Sequence, residues 1–303
     1  MAFKLTLKKQ SLMTLLFIVI FIIVADVLKI TMFSGDMDDG FFSQVIYVSD
    51  NFANGSAYSP LFLIHVLRLL IVAPFFISYL LGLPPFFDAL FFILYLIPLL
   101  ACQNKVFRNL GLIAIFLPLA FSYRTVLGML SIIYLYYCLF YQTKRYYLIG
   151  FSALLANLSS GIVLGWLLAV ISSIFYIKSF YPKFFVVISF MMFGFLGSLL
   201  HKIEYMISEQ GASQNGSVIE RSTIYVSFYN GQNFRFSLYV FLIFILFFIV
   251  VAPLYSKNFR ARNAFFFASS IPLIFFEGVG LISYFLCFLL VIFKSYSKRD
   301  QSE

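Results

Sequence analysis

Four groups of residues in this 303-residue chain have side chains suited to chemistry. The first is Arg124, which follows Phe121-Ser122-Tyr123 where one apolar run ends and the next begins. Arginine stays charged at physiological pH, and its planar guanidinium forks onto phosphate or carboxylate oxygens in pairs. An interfacial arginine with its stem on apolar surface and its head in water accounts for the same residue without chemistry. The second group is His65 and Arg68, three apart and therefore on one face of a helix. Either both point into a shared cavity, or Arg68 pins backbone carbonyls where the chain bends.

The third group lies between residues 201 and 237: His201, Lys202, Glu220, Arg221 and Arg235, with Glu204 and Glu209. A solvated loop explains most of these charges. Of the cations, Arg221 and Arg235 suit a diphosphate better than Lys202, because a planar two-pronged donor matches it. The fourth group is acidic. Glu277 stands alone in Phe275-Phe276-Glu277-Gly278, and Asp36, Asp38 and Asp39 lie between Gly35 and Gly40. Apolar neighbours favour the neutral form of a carboxyl group, which suits general acid–base work; an ion pair with one of the arginines fits Glu277 equally well. The aspartate spacing matches no calcium loop, so neither a metal nor a cofactor is expected.

The elements that must hold these residues are read from the composition. The chain is 62% hydrophobic, 21% aromatic and 11% charged, and its mean hydropathy is +0.99. A soluble domain carries about a quarter charged residues, so the expectation is an all-α polytopic membrane protein, one integral domain over 1–303 with no sizeable soluble domain. The 42 phenylalanines fit lipid-facing bulk or AT-rich codons, and name no function. In a soluble protein a net charge of +9 would suggest nucleic acid. Here Lys and Arg collect in short loops between apolar runs, where they set orientation, and no nucleic-acid surface is expected. Cys102, Cys138 and Cys287 lie in or beside apolar segments without a CxxC pair, which suits small buried hydrophobes. Lys4, Lys8 and Lys9 precede an apolar run to Ala25, but Asp26-Val27-Leu28-Lys29 follows in place of a small-residue cleavage site. That is read as a retained first span.

Apolar windows place candidate helices at 11–30, 60–82, 86–101, 109–123, 125–142, 146–158, 160–177, 184–200, 236–254, 263–276 and 279–294. Two long polar gaps remain, 31–59 and 201–237. If all eleven segments cross from a cytoplasmic N-terminus, twelve basic residues between Lys105 and Arg299 lie outside against seven inside, contrary to the positive-inside rule. If 60–82 dips and returns, or lies along the outer face, the twelve become cytoplasmic. Pro74 and Gly82-Leu83-Pro84-Pro85 make such a bent segment reasonable. The expectation is therefore ten crossings, both termini cytoplasmic, 31–59 and 201–237 as outer loops, and 60–82 as a re-entrant or interfacial helix. Most acids then fall on the outer side. Asn157-Leu158-Ser159-Ser160-Gly161 reads as a tight outer turn. Asn54-Gly55-Ser56 and Asn215-Gly216-Ser217 match the glycosylation tripeptide but are ordinary turn sequences. No P-loop, GxSxG, HExxH or dinucleotide fingerprint occurs.

In order and spacing these features resemble the bacterial polysaccharide polymerases of the EpsG/Wzy type. The aspartate stretch Gly35-Asp36-Met37-Asp38-Asp39 leads to Ser59-Pro60-Leu61-Phe62, similar to the family's (Glu)-Pro-x-Phe opening of a short helix. Phe121-Ser122-Tyr123-Arg124-Thr125-Val126-Leu127 is similar to its Phe-x-x-x-Arg-Gln-x-x-Ala, and Lys144-Arg145 to its basic cytoplasmic loop. Ser59 stands for the usual acid, Thr125 for the usual Gln, and Leu158-Ser159 where Phe-His is common, so a histidine role at the 157–161 turn does not carry over.

The resemblance implies a GT-C-like glycosyltransferase of the bacterial inner membrane, joining undecaprenyl-pyrophosphate-linked O-antigen or capsule repeat units at the periplasmic face. Arg124, Arg221, Arg235 and Arg68 would hold the leaving pyrophosphate. Glu277, His201 or Asp38 would serve as base, and His65, Asp36 and Asp39 would bind substrate. A chain-length regulator and a flippase are the partners it suggests, besides membrane lipid. Rival readings are a flippase or transporter, which should show polar residues at mid-depth or inverted repeats, a membrane O-acyltransferase using His65, and a structural partner in an envelope complex.

Overall fold

The computed structural model describes residues 41–55, 60–102, 123–140 and 146–174, together with positions 16, 19, 20, 23, 108, 111, 112, 264, 265, 268, 269 and 272. All regular structure among the described residues is helical. Six helices are complete: α1 (Phe41–Ala53), α2 (Pro60–Leu80), α3 (Pro85–Leu100), α4 (Tyr123–Phe140), α5 (Tyr146–Ala156) and α6 (Ser160–Ile174). The chain divides into two units, Met1–Leu130 and Ser131–Glu303.

In the first unit, α1 packs on α2 and α2 on α3. Helix α2 has 21 residues, a rise of about 31 Å that matches a hydrocarbon core of about 30 Å. Among the described residues, Phe62–Leu80 is the one stretch long and apolar enough to cross a membrane. The end of α2 is built by Gly82, whose φ of +58° is a left-handed conformation that side chains with a Cβ resist. The Gly82 amide donates to the Tyr79 carbonyl (3.1 Å) and that of Leu83 to Ser78 (2.9 Å), the pair of bonds that closes a Schellman cap. Pro84 then stands at the N-cap of α3 and Pro85 opens it, where the missing N–H costs nothing and the fixed φ suits a helix. Gly-Leu-Pro-Pro is thus a stop and an immediate restart.

The two helices run antiparallel. Phe75 meets Phe91 edge-on (6.3 Å between centroids) and stacks on Tyr95 (6.0 Å), while Tyr95 Oη donates to the Ile71 carbonyl. Numbers fall along one helix as they rise along the other. Pro74 sits inside α2 without breaking it; it removes the donor that would have met the Leu70 carbonyl, and Tyr95 bonds one residue further on. Sequence reading expected a re-entrant or interfacial helix at 60–82; the structure has one unbroken helix there, and the return of the chain is made by the next one. The 31–59 gap contains α1. That helix mixes Ser43, Gln44, Ser49, Asp50 and Asn51 with its apolar residues, so a search for apolar windows passes over it.

In the second unit the helix pair α5 and α6 turns at Asn157-Leu158, at the tight turn expected there. The amides of Asn157 and Leu158 donate to Leu154 and Leu155 (3.1 and 3.2 Å), and Val163 opens the ladder of α6 by donating to Ser159 (3.0 Å). Four small residues, Gly161, Gly165, Ala169 and Ser173, follow at intervals of four along α6, and all are buried. A Cβ placed on Gly165 would stand 2.5 Å from the Ser269 carbonyl oxygen. Such small-residue stripes let backbones approach closely in helix packing.

Candidate functional site

Helix α1 supplies a residue that sequence reading did not single out. The phenol ring of Tyr47 lies edge-on to the His65 imidazole, with centroids 5.1 Å apart at 64°. Arg68, one turn along α2, is buried, with 8% of its surface exposed. His65 is half-buried between them. The spacing of His65 and Arg68 does put them on one helix face, and α1 meets that face at His65. A guanidinium this deep in an apolar helix must have its charge compensated locally. The sequence signal for Tyr47 was weak, since only the packing of α1 on α2 brings it within reach.

Arg124 lies in the first turn of α4. The first four amides of any helix lack intrahelical acceptors, and the helix dipole is positive there. A fixed cation in that turn therefore adds positive potential to positive potential, which an arriving anion relieves. Glu277, His201, Asp36, Asp38, Asp39, Arg221 and Arg235 lie outside the described residues. Among the described residues no three His, Cys, Asp or Glu side chains converge as a metal site would require.

The second unit holds a buried polar chain that spacing did not reveal. Trp166 Nε1 donates to Ser152 Oγ (2.7 Å), which donates to the Ser131 carbonyl (2.6 Å). The three residues belong to α6, α5 and α4, and all are fully buried. Beside them Tyr134 packs on Phe151 (5.9 Å), and Tyr136 and Phe140 both meet Phe265 (5.5 and 5.6 Å). This cluster joins three helices through buried groups. Cys102 and Cys138 are buried in apolar surroundings, where a thiol behaves as a small hydrophobe.

Comparison of the chain with protein-family models, with curated proteins and with solved structures finds no match.

Proposed function

We propose that the chain is a membrane glycosyltransferase that polymerises undecaprenyl-pyrophosphate-linked repeat units of an O-antigen or capsule at the outer face of the bacterial inner membrane. The membrane part is supported by the apolar residues left on the surface. Along α2, Leu63, Leu70, Ile77 and Leu80 are all exposed, and along α3 so are Phe86, Leu90, Leu94 and Ile97. Each set recurs at helical spacing and forms a stripe. In water, apolar patches of this extent drive association; against lipid tails they cost nothing. Ten crossings in a GT-C-like arrangement, with both termini cytoplasmic, fit the distribution of basic residues.

The observation that carries the enzymatic part is Arg124 in the first turn of α4, within the segment that resembles the polymerase motif. In the reaction an acceptor hydroxyl oxygen bonds to the anomeric carbon of the donor glycan. The bond from that carbon to the pyrophosphate oxygen breaks, and its electron pair leaves with the lipid pyrophosphate. The hydroxyl proton passes to a base, for which Glu277, His201 and Asp38 are the candidates. Charge builds on the leaving pyrophosphate, and cations already in place stabilise it without reorganisation. Arg124 is the described residue suited to that role, with Arg221 and Arg235 as further candidates; Arg68, buried in α2, would hold the pyrophosphate only by exchanging its present surroundings for it. No cofactor is needed.

The test is genetic and chemical together. Deleting the gene should leave surface glycan carrying a single repeat unit where a ladder stood. Arg124→Ala should reproduce the deletion at normal protein level, with Arg124→Lys recovering part of it. A ladder unchanged by the deletion rejects the polymerase reading.

A further inference from the structure

An antiparallel pair returns the chain to the side it came from. Helices α2 and α3 contact each other from the Gly82 turn back to Ile71 and forward to Tyr95, so Pro60 and Leu100 lie at the same end of the pair. Whether the pair crosses the bilayer or dips into it, the Asn54-Gly55 turn before α2 and Cys102 after α3 face one compartment. Arg108 must follow Cys102. It stands six positions further on, a reach of about 20 Å even when fully extended, which falls short of the ~30 Å hydrocarbon core.

We propose that Asn54 and Arg108 face the same outer compartment as Arg124, which adds Arg108 to Arg124 as a cation on the face where the pyrophosphate would leave. The inference rests on the membrane reading above, and its last clause on the polymerase reading. The basic loops beyond α4 stay inside only if the chain between Arg108 and α4 does not cross, so the non-crossing stretch now includes that segment. The count of crossings is ten if the pair crosses and eight if it dips, and both termini stay cytoplasmic either way. With loops and tails counted as before, thirteen basic residues lie inside and six outside, so the positive-inside rule is still obeyed. The uncharged Gly82-Leu83-Pro84 turn becomes the inner end of the pair, if the pair crosses. His65 and Arg68 sit in the half of α2 nearest Pro60, towards the outer end, with Tyr47 of α1 beside His65.

Single cysteines at Asn54→Cys, Leu81→Cys and Arg108→Cys, in full-length protein with Cys102, Cys138 and Cys287 changed to alanine, test the sidedness. The probe is a membrane-impermeant maleimide applied to spheroplasts. Labelling of Asn54→Cys and Arg108→Cys from outside is expected, while Leu81→Cys, if the pair crosses, reacts only after lysis. Opposite sides for residues 54 and 108, or both inside, overturn the proposal. Topology reporters fused after residues 55 and 108 of the natural sequence give the same answer should the cysteine-free protein fail to fold. Extraction of the protein by alkaline carbonate would reject the membrane reading itself, a separate outcome. Where deletion does abolish the ladder, Arg108→Ala should cut polymer at least tenfold at equal protein level, with Arg108→Lys restoring most of it. A ladder unchanged by Arg108→Ala removes Arg108 from the anion-binding set and leaves the sidedness standing.

Discussion

The α2–α3 pair and the α4–α6 cluster are built from the same apolar vocabulary and use it in opposite ways. Helices α2 and α3 bury one face against each other and turn Leu63, Leu70, Phe86 and Leu94 outward. Helix α4 is buried at every position from Leu127 to Cys138. The pair is joined by aromatic contacts and one hydrogen bond; the cluster is joined by a Trp–Ser–carbonyl chain and a stripe of small residues. A helix hydrophobic all round is either central in a bundle or surrounded by lipid; α4 is of the first kind, and the exposed stripes of α2 and α3 fit the second. The difference teaches that apolar content alone does not locate the core. Exposure does, and it follows from which helices carry residues small enough to be approached closely.

The contrast breaks most visibly at Trp166. Its side chain is fully buried, and truncating a buried aromatic residue costs about 3–5 kcal/mol. Trp166→Ala should lose most of its folded population, read as monodisperse protein in detergent. Trp166→Phe keeps much of the volume and removes the donor to Ser152, so its smaller loss separates packing from the hydrogen bond. The equivalent truncation in the pair, Leu70→Ala, removes a side chain that is 65% exposed and should change stability by no more than about 0.5 kcal/mol. Comparable losses at Trp166 and Leu70 would erase the distinction between the two regions.

A charge at Leu70 asks what the exposed stripe faces. Arginine near the centre of a spanning helix costs about 2.5–3.5 kcal/mol on insertion scales, whereas on a watery surface it costs almost nothing. Leu70→Arg should therefore reduce the membrane-inserted fraction sharply, measured by carbonate-resistant protein, and Leu70→Ala should leave it unchanged. Full insertion of Leu70→Arg would mean that the stripe borders water or a polar cavity.

Much of this was legible in the residues, for reasons that can be named. The Gly82-Leu83-Pro84-Pro85 break announced itself because glycine and proline restrict the backbone locally, and Asn157-Leu158-Ser159 did the same for the α5–α6 turn. The pairing of His65 with Arg68 on one face followed from helical period alone. Helix α1 was hidden because its polar residues lower the apolar average that a span search relies on. Tyr47 beside His65 and Ser131 beneath Ser152 were hidden for a different reason. They are contacts between helices, and no periodicity within one helix encodes its neighbour. The unbroken course of α2 through Pro74 was also unreadable, since proline signals a kink as readily as a stop.

Gly165 offers a milder way to sharpen the contrast. Gly165→Ala introduces a Cβ 2.5 Å from a backbone carbonyl oxygen of Ser269, so a helix must shift; overpacking of this kind costs about 1–3 kcal/mol. Gly150, on α5, has no atom within 4 Å of where its Cβ would stand. Gly150→Ala should instead raise stability slightly through higher helix propensity, by up to about 1 kcal/mol. Thermal unfolding in detergent, followed for both variants, should move the midpoint in opposite directions. Equal shifts would show that close approach at Ser269 does not hold α6 in place.

The smallest effect belongs to Tyr95. Its hydroxyl donates to the Ile71 carbonyl, a polar link between α2 and α3, while its ring stacks on Phe75. Tyr95→Phe keeps the ring and removes the donor. Interhelical hydrogen bonds in membrane proteins average about 0.6 kcal/mol, less than a buried polar bond suggests, because the separated helices find other partners. The expected drop in stability is therefore small, and Tyr95→Ala should cost several times more by emptying the aromatic contact. If Tyr95→Phe proved as damaging as Tyr95→Ala, the pair would owe its antiparallel packing to the hydrogen bond rather than to the rings. The carbonyls around Pro74 would then be the reason α2 requires α3 beside it.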